Sequence, residues 1–160
     1  MAVFGVSGQP HMLLGTWYEV ARGGWFVEPK ANHVLMLVQH ENGTMRWLES
    51  WDGQQRDLEA RLDRDTLCVK TLPFWWSLYK VVAHSEAFLV LAGTFTTRLY
   101  SAKPTMDAVT WHEASSIMRL MDYDTEWLEW SPRPVDGLDD VLKPRDAAQH
   151  PRHGGVEWMN

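Results

Sequence analysis

The stretch LLGTWYEVAR, residues 13–22, places a glycine, a tryptophan two positions later and then a glutamate in what reads as the first strand of the chain. Successive side chains of a strand point to opposite faces. If Trp17 points inward, this period predicts that Glu19 and Ala21 point inward as well. A carboxylate on an inner face is costly unless it is paired or protonated. The stretch therefore predicts both a core and a polar group inside it.

The totals of the sequence indicate one ordinary globular domain. The chain has 160 residues, enough to bury a core without metals or disulfides, and its single cysteine, Cys68, excludes an intrachain disulfide. A formal net charge of −6 makes nucleic acid a poor partner, because an acidic protein repels phosphate. No stretch approaches the roughly 20 apolar residues of a membrane-spanning helix. We expect a cytoplasmic protein, or a periplasmic or secreted one if a signal peptide was removed.

Short alternating runs separated by turn residues predict an all-β fold. The pairs Asn42-Gly43 and Asp52-Gly53 favour the positive φ angles of type I′ hairpin turns. Closely spaced strands with tight turns predict an antiparallel meander, as a sandwich or as a closed up-and-down barrel, and closure removes exposed strand edges. The eight predicted strands are 16–22, 33–40, 44–51, 56–62, 66–70, 77–83, 87–92 and 96–102.

After Pro104 the period of the apolar residues changes from that of a strand to that of a helix. Trp111, Ala114, Met118 and their neighbours predict a helix over 105–121, capped by Thr105 or Asp107. We expect this helix to pack on the outside of the barrel, and the second strand, which is apolar on both faces, is one candidate landing site. A last short strand is predicted at 126–130. The domain organisation is an N-terminal arm (1–12), a barrel (13–132) and an extended C-terminal tail (133–160).

These elements and several segments resemble the lipocalin family, most closely the bacterial lipocalins. LLGTWYEVAR matches the G-x-W motif of that family. The segments LPFWWSLYKVVA (72–83), YSAKPTM (100–106) and MDYDTEWLEWSP (121–132) resemble later parts of bacterial lipocalins in the same order. The resemblance covers residues 13–132. It implies an eight-stranded antiparallel barrel with one α-helix outside it after strand eight, and a small hydrophobic molecule bound within.

The resemblance also implies how one end of the barrel is closed. Gly15 lets the chain bend into the barrel, and Trp17 plugs it, with a basic side chain of the eighth strand packed on the tryptophan. Direct matching puts Ala102 at that basic position. Either Lys103 or Arg98 takes the role through a shifted register, or the closed end is built differently here.

Aromatic and acidic residues on the inner faces predict a ligand site. Ten tryptophans favour an aromatic-lined cavity, although the barrel rim or an oligomer interface would also use them. Glu19 and Glu49 are expected to pair with basic groups, to anchor a ligand head group, or to act as a general acid or base with a raised pKa. The loop 23–32 is expected to cover the open end. The predicted ligand-binding residues are Glu19, Ala21, Trp25, Phe26, Met45, Trp47, Glu49, Trp51, Trp75 and Tyr79.

The remaining patterns leave two main functions open. The seven histidines have no metal-binding spacing and are expected at the surface, so neither a metal nor a cofactor is predicted. We favour a protein that binds a small hydrophobic or aromatic ligand of the lipid, terpenoid or polyketide class. The alternative is a cyclase or isomerase of secondary metabolism that folds its substrate in the cavity. A barrel filled by its own side chains is a third interpretation, and the surplus of aromatic residues also fits a homodimer.

Overall fold

The computed structural model describes residues 12–25 and 32–131. Within these ranges the chain forms nine strands and one helix, and the eight predicted barrel strands and the helix after them are confirmed. Phe26, most of the loop 23–32, most of the N-terminal arm and the predicted tail lie outside the described residues. The elements are β1 (Gly15–Gly24), β2 (Val34–Gln39), β3 (Met45–Trp51), β4 (Gln54–Asp63), β5 (Thr66–Leu72), β6 (Trp75–His84), β7 (Phe88–Ala92), β8 (Thr96–Ser101), α1 (Ala108–Leu120) and β9 (Glu129–Trp130).

The sheet is a closed barrel and not a sandwich. Each strand from β2 to β8 pairs with the next, β8 pairs with β1, and β1 pairs with β2. The first strand achieves this by dividing its length between partners. Its residues 15–18 pair with β2, whereas its later residues pair with β8 on one side and with the short β9 on the other. Every pairing is antiparallel, so the strand ends alternate between the two ends of the barrel.

The two predicted hairpin turns differ in their backbone geometry. Asp52 and Gly53 have φ angles of 45° and 76°, as a type I′ turn requires. In the β2–β3 turn only Gly43 of the Asn-Gly pair has a positive φ, of 84°. There the Oδ1 atom of Asn42 accepts a hydrogen bond from the backbone N–H of Thr44 at 3.1 Å. The Asx side chain thus stabilises a different turn at this position.

The closed end of the barrel is built from apolar side chains. Trp17 is buried, and its Nε1–H donates to the carbonyl of Leu13 at 2.9 Å. Ala102 packs against the same cluster, whereas Lys103 is exposed. Arg98 lies farther along β8, toward the open end. Neither expected basic residue therefore replaces Ala102, and the closed end differs from the pattern that the resemblance implied.

Helix α1 packs on the outside of the barrel, as expected. Asp107 is its N-cap, and the Oδ1 atom accepts from the N–H of Thr110 at 2.7 Å. The landing site is not the second strand, because Met36 on the outer face of β2 stays exposed. The helix lies instead over β6, β7, β8 and β1, where bulky apolar residues face outward. We call this the outer cluster; it includes Val20, Ala21, Val82, Ala83, Phe88, Val90, Leu99, Trp111, Ala114, Ile117 and Met118.

A second group of buried apolar residues faces the barrel interior. We call it the inner cluster; it includes Leu13, Trp17, Leu35, Leu37, Met45, Trp47, Leu67, Tyr79, Leu89 and Tyr100.

In the part of the chain that the structure describes, no helix is long and apolar enough to span a membrane.

Candidate functional site

A β-bulge in β1 decides which of its side chains face the interior. Glu19 and Ala21 pair with consecutive residues of β8, so Val20 is an extra residue between them. Val20 and Ala21 both belong to the outer cluster, and Arg22 returns to the inner face. The prediction that Ala21 points inward is wrong, because a period of two does not hold across a bulge.

The bulge brings Glu19 and Arg22 together inside the barrel. The Nε and Nη2 atoms of Arg22 donate to the two carboxylate oxygens of Glu19, each at 2.8 Å. Glu19 is completely buried and Arg22 is 6% exposed. A bidentate guanidinium–carboxylate pair offsets part of the cost of taking both charges out of water.

His33 joins the two glutamates that were predicted to face the interior. Its Nδ1 atom lies 3.2 Å from Oε2 of Glu19, and its Nε2 atom lies 2.8 Å from Oε2 of Glu49. A neutral imidazole has one N–H and can donate to one of these oxygens, whereas an imidazolium can donate to both. The expectation of surface histidines is wrong for His33 and also for His84, because both are buried.

Glu49 is an ionised carboxylate and not a carboxylic acid. Burial raises its pKa, but the hydrogen bond with His33 and the positive charge of Arg56 outweigh this and lower the pKa to about 2. Arg56 contacts the second carboxylate oxygen from β4. The hypothesis that Glu49 is a general acid or base required a raised pKa, and the structure shows the opposite shift.

Arg98, on β8, also belongs to this group, and not all of its N–H donors are used. It is 9% exposed, its Cζ atom lies 5.1 Å from the ring centroid of Tyr79, and its Nη2 atom donates to the Tyr79 hydroxyl at 3.4 Å. Nη1 is 3.9 Å from Oε2 of Glu49, beyond hydrogen-bond distance. Nε and Nη1 have no hydrogen-bond acceptor among the described residues. We call Glu19, Arg22, His33, Glu49, Arg56 and Arg98 the charged cluster.

The two tyrosines beside Arg98 add a hydroxyl and an aromatic surface. Burial raises the pKa of Tyr100 well above its usual range, so its hydroxyl stays protonated. Tyr79 stacks on Trp47, with ring centroids 5.2 Å apart. Trp47 is fully buried, and its Nε1–H has no acceptor among the described residues.

The other predicted ligand-binding residues lie at two different depths. Met45 is buried in the inner cluster. Trp51 is half-buried nearer the open end, where its ring centroid is 6.2 Å from that of His33. Trp25 and Trp75 are 51% and 64% exposed and belong to the rim of the barrel, not to its interior.

Two open cavities lie at this rim, beside the β7–β8 loop. Their volumes are about 400 and 360 Å³, and both are lined by Gly24, Trp25 and Thr97. Gly24 has φ +127°, and a Cβ atom there would lie 2.0 Å from the carbonyl oxygen of Phe95. The end of β1 and the β7–β8 loop are therefore in direct backbone contact, and the N–H of Trp25 donates to the same carbonyl at 2.9 Å.

Sequence reasoning missed Arg22, His33, Arg56 and Tyr100. The signal for Arg56 was present: a two-residue turn at 52–53 fixes a register in which Arg56 lies opposite Glu49. His33 has the same parity as the inward residues of β2, and Tyr100 the same parity as Arg98. Arg22 carried no such signal, because the bulge shifts its face.

Within residues 12–25 and 32–131, no group of three or more histidine, cysteine, aspartate or glutamate side chains could hold a metal ion.

Comparison with known proteins gives structural neighbours but no sequence relatives. No family model matches the chain, and no curated protein matches it. Insecticyanin from the tobacco hornworm Manduca sexta is similar with a TM-score of 0.64 at 10% identity, over 84% of this chain and 86% of that one. The cockroach allergen Per a 4 gives 0.64 at 14% identity, over 81% and 91%. Apocrustacyanin C1 gives 0.62 at 9% identity, over 89% and 97%. All three are lipocalins. Likeness at these identities establishes the fold, and the expected closeness to bacterial lipocalins stays a prediction.

Proposed function

Because the chain has the lipocalin fold, we propose that it binds a small hydrophobic molecule inside the barrel, next to the charged cluster. The observation that carries this proposal is a buried network of charges beside the stacked rings of Trp47 and Tyr79. Well-packed apolar residues of similar volume would often stabilise a core as well as buried ion pairs do. We infer that the barrel retains these charges for ligand recognition and not for stability alone.

The charged cluster is within reach of a ligand that enters through the open end. Arg98 is two residues from the start of β8 at that end, a distance of about 7 Å along a strand. The side chain of Arg56 is 41% exposed, so the cluster extends to solvent. The half-buried Trp51 and the exposed Trp25 and Trp75 give this end an aromatic lining. A polar group surrounded by apolar and aromatic surface suits a ligand that is mostly hydrophobic.

The proposal is tested by replacing one leucine with the larger tryptophan, which narrows the barrel interior. Leu58 lies opposite Trp47 and packs against the inner cluster, whereas Leu78 is 55% exposed. In Leu58→Trp we expect dodecanoate to bind at least about tenfold more weakly than to the unmodified protein, because the indole occupies ligand space. Calorimetric titration measures the affinity, and the intrinsic tryptophan fluorescence is followed in parallel.

Leu78→Trp is the matched control, since it adds the same side chain outside the interior. It should bind dodecanoate as the unmodified protein does. Far-UV circular dichroism shows whether each variant folds. Equal weakening in both variants would place the ligand elsewhere, and no binding to a panel of fatty acids, terpenoid alcohols and flat aromatic compounds would favour a barrel filled by its own side chains.

A cyclase or isomerase is the second candidate. The observation in its favour is the protonated hydroxyl of Tyr100 next to the guanidinium of Arg98, since two such donors can stabilise an oxyanion that develops on a substrate carbonyl. Mass spectrometry of the recovered compound separates the two functions. A compound that is recovered unchanged supports binding alone, whereas conversion that stops in Arg98→Met supports an enzyme.

A further inference from the structure

We infer that the polar end of the ligand is an oxygen acceptor, a carboxylate or a carbonyl, that binds Arg98 and draws on the N–H of Trp47. This inference rests on the proposed function. The sequence analysis expected the carboxylates of Glu19 and Glu49 to anchor the ligand, whereas here the protein supplies hydrogen-bond donors. The groups inside the barrel that are still free to form hydrogen bonds decide between these two kinds of anchor.

The carboxylates of the charged cluster are already engaged. Both oxygens of Glu19 accept from Arg22, and one of them also faces His33. The oxygens of Glu49 are held by Arg56 and His33. A cationic head group would have to enter beside the arginine and histidine side chains that already contact these oxygens, where its charge would be repelled by the guanidinium groups.

Among the buried groups without a hydrogen-bond partner in the described residues, the arginine and indole nitrogens can act only as donors, whereas the Tyr100 hydroxyl can donate or accept. Nε and Nη1 of Arg98 and Nε1 of Trp47 have no acceptor among the described residues, although Trp47 is fully buried and Arg98 is 9% exposed. A buried donor without an acceptor is costly, so a ligand that supplies an acceptor oxygen gains the full benefit of pairing it. Both residues contact the ring of Tyr79: the Arg98 Cζ atom lies 5.1 Å from its centroid, and the Trp47 ring centroid lies 5.2 Å from it.

The net charge of the charged cluster also favours a ligand that supplies an acceptor oxygen. Three guanidinium groups face two carboxylates, which leaves one positive charge in excess when His33 is neutral. Arg98 is the guanidinium with the most distant counter-charge, at 3.9 Å. An anionic oxygen at Arg98 balances this excess, and an ammonium group increases it.

The experiment compares head groups on one constant chain. Dodecanoate and dodecylammonium, each below its micelle concentration, and methyl dodecanoate, below its solubility limit, are titrated into the unmodified protein, and the affinity is measured by calorimetry. We expect dodecanoate and the ester to bind, and dodecylammonium to bind roughly tenfold more weakly or worse. The difference between dodecanoate and the ester tells whether charge or the carbonyl alone is recognised.

Two variants connect this preference to the named donors. Arg98→Met should weaken dodecanoate binding by roughly 10- to 100-fold, and Trp47→Phe, which keeps an aromatic ring beside Tyr79, by roughly threefold to tenfold. Arg46→Met is the control, because Arg46 pairs with the exposed Asp57 outside the charged cluster, and it should bind as the unmodified protein does.

The outcomes separate this inference from the proposed function. Dodecylammonium that binds as tightly as dodecanoate, or an Arg98→Met variant of unchanged affinity, overturns the inference and leaves hydrophobic ligand binding in place. Failure of all three compounds to bind counts against the proposed function itself. The head-group comparison uses the unmodified protein, so it remains decisive if a variant does not fold.

Discussion

Glu49 shows how a carboxylate is kept ionised inside an apolar barrel. Isolated in such surroundings it would take up a proton, because burial penalises the charged form. Here His33 and Arg56 hold its two oxygens, and the pKa falls to about 2. The charge of Glu49 therefore exists only as part of a network, and its loss is felt by each neighbour.

The lowered pKa makes a prediction for stability at acid pH. The pKa in the folded state, about 2, is below the ordinary value of 4.5, so Glu49 stabilises the fold above pH 4.5 and this contribution is lost as the pH falls toward 2. The expected loss is about 3 kcal/mol by linkage. Urea unfolding of the unmodified protein and of Glu49→Gln, at neutral pH and at several acid values, measures it.

Glu49→Gln should be less stable at neutral pH and should lose less stability on acidification. The control is Asp57→Asn, which removes a carboxylate that is 62% exposed and paired with Arg46. Exposed ion pairs contribute little, so its stability should change by less than about 1 kcal/mol. Parallel acid profiles for Glu49→Gln and the unmodified protein would show that Glu49 is not the group responsible.

At the scale of single elements, the end of β1 is defined by a glycine in a conformation that disfavours any side chain. Gly24 combines a φ of +127° with a backbone carbonyl 2.0 Å from the place of a Cβ atom. A side chain there would be strained by the dihedral angle and would also push the β7–β8 loop away from β1. Gly24 therefore allows the end of β1 and the β7–β8 loop to be in direct contact at the rim of the barrel.

Gly24→Ala is expected to destabilise the protein by more than about 2 kcal/mol, because dihedral strain and a backbone clash add up. Gly53→Ala is the matched control: its φ is +76°, but no atom lies within 4 Å of the added Cβ, so about 1 kcal/mol is expected. Thermal unfolding followed by circular dichroism measures both. Equal losses would mean that the contact with Phe95 has no energetic weight.

Strands with a strict alternation were predictable from the sequence, whereas β1, which departs from it at a bulge, was not. In β3, Met45, Trp47 and Glu49 face inward as their period of two predicts. In β1 the bulge at Val20 turned Ala21 outward and Arg22 inward. A bulge depends on how two strands pair, and one strand's own sequence does not reveal its partner.

At the scale of the whole molecule, two apolar clusters share the same strands. β1 and β6–β8 contribute residues to the inner cluster on one face and to the outer cluster, beneath α1, on the other. A strand that loses its outer support also loses its inner packing. The helix and the barrel interior are therefore expected to unfold together.

Met118→Ala tests this coupling from the helix. Met118 is fully buried in the outer cluster, and its truncation should cost about 2–5 kcal/mol. Circular dichroism and tryptophan fluorescence should report one coincident transition at a lower temperature. Val109→Ala, at a residue that is 79% exposed on the same helix, should change stability by less than about 0.5 kcal/mol. Two separate transitions in Met118→Ala would show that the clusters are independent.

The site was predicted less completely than the fold because its residues come from several strands of the barrel. Glu19 and Glu49 were recognised as inward carboxylates, but His33, which joins them, is 16 residues from Glu49 along the chain. The charged cluster draws on β1, β3, β4, β8 and the segment before β2, and only barrel closure brings these together. The spacing of residues along the sequence predicts the faces of one strand at a time, and it does not show which residues of different strands come into contact.

The bulge in β1 also bears on the order in which the barrel can assemble. It makes Glu19 and Arg22 neighbours at a sequence separation of only three residues, so their pairing requires almost no loop-closure entropy. The contacts of β1 with β8 join residues that are about half the chain length apart, and they form late by the same criterion. The bulge is itself part of this pairing, so the seam that closes the barrel also brings together the two charges that it buries.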